Sequence, residues 1–171
     1  MFPQLLTKVS NYLEIPSGEI TKRDTTFVRR HNNQSTIGII NIIFAMLKET
    51  KSNKGVLEGT DETLIYQWLE YSIVYAIRAN NNQAIHEVLK ELNSILSSKS
   101  FLVGHRLTIA DVFLYYVLLN IMSNLSNFEK EQFLNVSRWF DNIQEDPSLR
   151  LKNDLVDFST IYLATTVLAR H

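Results

Sequence analysis

The residues best suited to chemistry are Thr108 and Asp111, which stand three positions apart in the stretch LVGHRLTIADVFLYYVLL. A carboxylate beside a hydroxyl is a candidate for catalysis, but the same spacing forms a capping box. In that motif the hydroxyl accepts the Asp111 backbone N–H and the carboxylate accepts the Thr108 N–H. An apolar helical face follows at once, and losing a helix cap typically costs about 1 kcal/mol. We therefore predict a structural helix cap and no catalytic role for Asp111.

Other reactive side chains are scarce. The chain has no cysteine, which excludes disulfides, thiolate nucleophiles and cysteine metal ligands. Its histidines, at positions 31, 86, 105 and 171, are too scattered for a helical ligand pair and are predicted to be surface or capping residues. No pair of carboxylates, glycine-rich phosphate loop or nucleophile–base spacing is visible. The residues thus predict no catalytic group, no metal and no cofactor.

Charge and hydropathy argue against nucleic acid and membranes as partners. The chain of 171 residues has 17 basic and 18 acidic residues, and this net charge of −1 offers no field for a polyanion, so we expect no direct contact with nucleic acid. The longest apolar runs are shorter than the roughly 18 residues that a membrane span needs. Residues 1–15 lack the pattern of a signal peptide. We expect an intracellular protein without a membrane partner.

The N-terminal third is predicted to alternate helix and strand. Apolar spacing favours a helix over 3–14, followed by a loop over 15–22, a strand near 25–28, a turn and a short second strand. Ser35 is the predicted cap of the next helix, which runs to Glu49. The apolar residues of that helix cover about two thirds of its circumference, which is more than one core-facing stripe requires. Either a partner covers the remainder, through Ile40, Phe44 and Leu47, or the helix is buried on two sides within the fold.

The rest of the chain is predicted to be helical. A polar linker over 51–60 suggests a domain boundary, with one unit over 1–53 and another over 54–171. Helical spacing then recurs in a series of segments that ends with a helix over 153–169. Ser126 and Glu129 repeat the capping-box spacing. Arg138 lies off the apolar face of its helix, where it is either solvated or paired with a carboxylate.

Three motifs carry a family resemblance. The chain resembles the C-terminal domain of the glutathione transferase superfamily in one stretch, where LVG is followed by LTIAD and then by an aromatic helix. The segments QWLEY (67–71) and EKEQFLNVSRWF (129–140) narrow the likeness to the small auxiliary scaffold proteins of the animal multi-tRNA synthetase complex, the elongation factor 1 epsilon type. The likeness covers the last two thirds of the chain well and the first third loosely. It implies a mainly α, glutathione transferase-like fold, with a reduced thioredoxin-like lobe before an all-helical domain.

The resemblance also implies a function. It suggests a non-catalytic scaffold that bridges methionyl-tRNA synthetase and glutamyl-prolyl-tRNA synthetase, alongside other scaffold proteins of the complex. One contact would use Ile40, Phe44 and Leu47 in the manner of a transferase dimer face, and the other would use a forked pair at Arg138. The family is cytoplasmic and is credited with moving to the nucleus and acting in DNA-damage signalling.

Two alternatives stay open at this point. The first is a glutathione-dependent transferase, because Gln34 and Ser35 at a predicted helix start resemble the pair that holds the γ-glutamyl end of glutathione, where a helix N-terminus accepts a carboxylate. A plain helix cap explains the same residues. Against the enzyme, the short N-terminal segment begins with a helix, and Tyr12 lies on its apolar face. The second alternative is a subunit of the elongation factor 1 complex.

Overall fold

The element order comes from a computed structural model, which describes residues 1–52, 54 and 62–158. In chain order the elements are α1 (Phe2–Tyr12), β1 (Glu19–Arg23), β2 (Thr26–His31), β3 (Gln34–Ile37), α2 (Ile39–Glu49), α3 (Glu62–Tyr71), a π-helix (Ser72–Ala76), α4 (Asn82–Ile95), a 3₁₀ turn (Leu96–Ser98), α5 (Ile109–Asn124), α6 (Asn127–Gln132), α7 (Leu134–Gln144) and α8 (Pro147–Arg150). The mainly α architecture agrees with the prediction. None of the described helices is long and apolar enough to cross a membrane.

The N-terminal lobe is a small antiparallel sheet covered by α1 and α2. The strands lie in the order β1-β2-β3, and their register pairs Thr21 with Val28 and Val28 with Ile37. Two predictions are wrong here. The segment predicted as a loop contains β1, and Ser35 lies within β3 instead of capping α2. Gly38 occupies the N-cap position of α2 with a φ of 91°, a left-handed value that favours glycine and ends the strand sharply.

An ion pair between a buried arginine and a half-buried glutamate joins the elements of the lobe. Arg29 on β2 is 2% exposed, and its two terminal nitrogens donate to the Glu49 carboxylate at the end of α2, at 2.6 and 2.8 Å. The same guanidinium donates to the carbonyls of Pro16 and Ser17 at 2.9 and 2.8 Å. The hydrogen bond from Arg29 holds the pKa of Glu49 below its usual value. One side chain thus joins the strand, the helix and the connecting loop.

The helical domain is built around α5. Ten of its sixteen residues are buried, and they face α1, α3, the π-helix and α7. Leu114 and Tyr115 are fully buried as well, so burial extends around most of the helix. The buried apolar residues of this domain and of the N-terminal lobe form one continuous cluster. A helix that is surrounded in this way needs its N-terminal N–H groups satisfied inside the core.

Thr108 and Asp111 supply that cap, as predicted. They form a capping box in which the Thr108 N–H and hydroxyl donate to Asp111 Oδ2 at 3.0 and 2.8 Å. Asp111 Oδ1 also accepts from the Leu102 N–H at 2.8 Å and from the indole N–H of Trp139 at 3.0 Å. Burial raises the pKa of the Asp111 carboxyl, and its hydrogen bonds oppose that shift. The carboxylate therefore joins the loop before α5 to α7.

The second capping box is also confirmed, at the surface. The Ser126 hydroxyl and N–H donate to Glu129 Oε2 at 2.6 and 2.9 Å, and the Glu129 N–H donates back to the hydroxyl. His86 on α4 lies 3.0 Å from Glu129 Oε1. The hydrogen bonds from Ser126, followed by that from His86, hold the pKa of Glu129 at about 2.

Two predictions depend on residues that the structure describes only in part. The segment from Asn153 to Phe158 contains no helix, so the start predicted for the last helix is wrong, and residues 159–171 lie outside the described part. Gln144, which is 1% exposed, holds this segment by bonding both the carbonyl and the N–H of Val156. Most of the predicted linker over 51–60 also lies outside the described residues, so the boundary between 1–53 and 54–171 stays a prediction.

Candidate interaction surface

A broad, open concave surface lies between α2 and α3. This α2–α3 groove has a volume of about 790 Å³ and is lined by Asn41, Phe44, Ala45, Lys48, Glu62, Thr63, Tyr66, Gln67 and Glu70. Phe44 is half-buried in its wall, and Tyr66 opposite is 45% exposed. Aromatic side chains that are only partly covered are typical of contact surfaces, because they add large apolar area when a partner covers them.

The apolar width of α2 is divided between the core and this surface. Ile42, Ile43 and Met46 are fully buried against the core, whereas Ile40 and Phe44 are only half-buried on the outer side. Leu47 is 8% exposed and belongs to the core, so its predicted place in a partner contact is wrong. Burial within the fold therefore accounts for most of the circumference of α2, and a narrower strip stays accessible, where contact with a partner remains a prediction.

Ile40 and Phe44 lie one turn apart but line different cavities. Phe44 lines the α2–α3 groove, and Ile40 lines a smaller cleft of about 350 Å³ between the lobes. Asn41 and Tyr66 contribute to both, so the two cavities adjoin. Tyr66 was missed from the sequence, although its place on the outer side of α3, away from the buried Ile65 and Leu69, is a usable signal.

The groove carries opposite charges on its two walls. Lys48 on α2 is exposed, as are Glu62 and Glu70 on α3. Charges at the rim of an interface mainly set orientation and association rate, whereas a buried apolar centre supplies most of the affinity. The arrangement suits a partner helix with an apolar stripe and flanking charges of both signs.

Arg138 lies on a separate surface and is already engaged. Its Nη2 donates to the carbonyls of Leu96 and Lys99 at 2.8 and 3.2 Å, so the exposed guanidinium caps the C-terminal end of the α4 segment. A forked pair needs two parallel N–H groups, and both such edges of a guanidinium include Nη2. A partner carboxylate must therefore share Nη2 with these carbonyls or displace one of them.

The structure does not form the predicted glutathione contact at a helix start. Gln34 and Ser35 are exposed residues of β3, and the α2 N-terminus begins after them. Tyr12 is 3% exposed in the core, and burial raises the pKa of its hydroxyl to about 12. The described residues contain no group of three or more histidines and carboxylates that suits a metal ion. The side chain of His86 is 45% exposed beside Glu129, which agrees with the surface position predicted for the histidines.

Comparison with solved structures confirms the fold. The glutathione transferase-like domain of elongation factor 1-gamma from Saccharomyces cerevisiae superposes with a TM-score of 0.66 over 92% of this chain and 91% of that one, at 12% identity. A yeast structure described as two binary sub-complexes that show the basis of aminoacyl-tRNA synthetase complex formation gives a TM-score of 0.58 over 97% and 92%, at 16% identity. The glutathione transferase-like architecture predicted from sequence is therefore correct.

Sequence comparison identifies the family. A family model described as the nuclear-export cofactor Arc1p matches residues 61–147. The bifunctional glutamate/proline–tRNA ligase of Cricetulus griseus is 32% identical over 115 residues, 65% of this chain but 7% of the ligase. The human eukaryotic translation elongation factor 1 epsilon-1 is 36% identical over 132 residues, 75% of each chain. These relatives are named as a translation factor and a tRNA ligase, and this chain belongs to the elongation factor 1 epsilon-1 family.

Proposed function

We propose that this chain is a non-catalytic scaffold that holds aminoacyl-tRNA synthetases together in the multi-synthetase complex and so supports translation. The observation that supports the proposal is that the α2–α3 groove and Arg138 lie apart on one continuous core. The α2–α3 groove lies on one side, while Arg138 is on α7, which packs against α4, α5, α6 and α8. A bridge requires two surfaces that do not overlap, and the Arg138 guanidinium bonds the carbonyls of Leu96 and Lys99, neither of which lines the groove.

The likeness to the glutamate/proline ligase supports one of the partners. Because the match covers most of this chain and a small part of the ligase, the ligase contains a domain of related sequence. Related domains commonly pair through equivalent faces, since a surface that is complementary to itself needs little change to accept a relative. We propose glutamyl-prolyl-tRNA synthetase as one partner and methionyl-tRNA synthetase as the other.

The proposal of a non-catalytic role rests on the positions of three residues in the N-terminal lobe. Tyr12 is in the core, and Gln34 and Ser35 are on a strand. The experiment is retention on immobilised glutathione combined with an assay of aryl halide conjugation. We expect neither retention nor turnover, and a measurable turnover would show that the chain is an enzyme.

Binding by the two surfaces is tested with one substitution on each. We expect Phe44→Glu to weaken one synthetase and Arg138→Ala to weaken the other, in pull-downs from cell extract. Phe128→Glu is the matched control for the aromatic, because Phe128 is 73% exposed on α6. Arg30→Ala is the control for the arginine, because Arg30 is an exposed residue of β2. If both synthetases are retained at full strength by each surface variant, the assignment of these surfaces is wrong.

We also propose a cytoplasmic location with a fraction in the nucleus, as the family likeness implies. Imaging of the tagged chain before and after DNA damage tests this, and strict exclusion from the nucleus in both states would refute the nuclear part.

A further inference from the structure

A third cavity lies where the N-terminal lobe meets the helical domain. It has a volume of about 250 Å³ and is more enclosed than the α2–α3 groove. Helix α1 forms one side, the end of the π-helix a second side, and the middle of α5 a third. Its walls are largely apolar, with Leu5, Ile77, Val117 and Ile121 among them. None of the residues in the proposed synthetase contacts lines it.

Lys8 is the side chain that determines which charge of ligand this cavity favours. It is half-buried, and its ammonium lies 5.5 Å from the centre of the Tyr116 ring. Lys8 forms no ion pair and no hydrogen bond with the residues that the structure describes. The other polar side chains of the wall are the amides of Gln4 and Asn120. Burial lowers the pKa of Lys8. A half-buried cation without a counterion, beside neutral donors, favours an anion.

The π-helix that borders this cavity is a second, independent observation. The Ile77 N–H donates to the Ser72 carbonyl at 2.9 Å, five residues back, and the Ser72 hydroxyl bonds the Trp68 carbonyl at 2.7 Å. Short π segments are rare within α-helices and are frequent at functional sites. Ala76 and Ile77, where this segment ends, face the cavity.

We propose that this cavity, here called the Lys8 pocket, binds a small carboxylate with an apolar body. The ammonium of Lys8 and the two amides hold the carboxylate, and the apolar walls cover the rest. Since one water occupies about 30 Å³, the volume suits a ligand of on the order of ten non-hydrogen atoms. This site is independent of the synthetase contacts, so it stands even if they are wrong.

Octanoate is the probe, because it has ten non-hydrogen atoms, one carboxylate and a flexible apolar chain. Titration of the full chain is followed by amide chemical shifts and by calorimetry. We expect saturable binding, with the largest shifts at Ala76, Ala79 and Ile121. Octanol and octylamine, which have the same chain without the negative charge, should bind at least about tenfold more weakly, because charge-assisted hydrogen bonds are the strong ones.

Two variants assign the binding to the pocket. Lys8→Met keeps the length of the side chain and removes the charge, and it should weaken octanoate binding by about tenfold or more. Lys130→Met is the matched control, since Lys130 also lies over an aromatic ring, at 5.4 Å from Phe158, but donates to a backbone carbonyl. Should Lys8→Met fail to fold, Ile121→Trp, which fills the cavity, takes its place. Binding no tighter than that of octanol, unchanged binding in the Lys8 or Ile121 variant, or shifts centred elsewhere would overturn the proposal.

Discussion

Replacing Asp111 with asparagine tests how far the fold depends on one buried carboxylate. Asp111 accepts a backbone N–H on each of its two oxygens, from Leu102 on one and from Thr108 on the other. An asparagine has one oxygen and one NH₂ group, so whichever way the amide turns, its NH₂ meets one of these backbone donors. The Thr108 hydroxyl can rotate and accept, but a backbone N–H cannot. At least one buried donor therefore loses its partner.

The size of the effect follows from this geometry. An unsatisfied buried donor costs about 1–3 kcal/mol, and the remaining bonds lose the assistance of the charge, which adds about 1 kcal/mol. Removing the buried charge offsets a part of this, since burial raises the pKa of Asp111. We expect Asp111→Asn to lower the free energy of unfolding by about 1–3 kcal/mol. That is a large part of the total stability of about 5–15 kcal/mol typical of a domain.

Urea unfolding followed by tryptophan fluorescence measures the loss. The matched control is Glu129→Gln, because it makes the same change in the exposed capping box of α6, where water replaces the lost bonds. A surface cap of this kind is worth about 1 kcal/mol or less. If Asp111→Asn costs no more than Glu129→Gln, the carboxylate is not the junction that the geometry indicates.

Three other perturbations have expected outcomes. The hydrogen bonds to Glu129 hold its pKa at about 2, below the unfolded value of 4.5, so their stabilisation is present above about pH 4.5 and lost as the pH falls towards 2. Glu129→Gln should flatten this part of the plot of urea midpoint against pH, and an unchanged slope would contradict the assignment. Glu49→Ala leaves the buried guanidinium of Arg29 with only its two carbonyl partners and should cost about 1–3 kcal/mol in urea unfolding; a loss well under 1 kcal/mol would show that the pair is unimportant. Gly18→Ala should destabilise the fold more than Gly104→Ala. Both glycines have left-handed φ values, but only at Gly18 would the new Cβ meet a backbone oxygen, at 2.7 Å. Equal thermal midpoints of the two variants would argue against this clash.

Features encoded in short stretches of sequence could be predicted. Both capping boxes were correct because the motif depends on two residues three positions apart and on the apolar run that follows. The helical domain was predictable for the same reason, since helical spacing is repeated along each segment.

Features that depend on distant partners could not be predicted. The Arg29–Glu49 pair joins residues twenty positions apart, and nothing in either segment indicates it. Ser35 was expected to cap α2, but pairing of β3 with β2 kept it in a strand and moved the helix start to Gly38. Leu47 was assigned to a partner contact because its helix is apolar over a wide arc, and only the packing of α1 and the sheet shows that it is covered.

The most direct test of the bridging role is the mass of the assembly that forms from three purified components: the full chain and the two synthetases. Sedimentation of the mixture should show one ternary species with the wild-type chain. Phe44→Glu and Arg138→Ala should each leave a binary species, with a different synthetase missing in each case. Competition between the two synthetases for the wild-type chain, or loss of both partners by either variant, would contradict a scaffold with two independent surfaces.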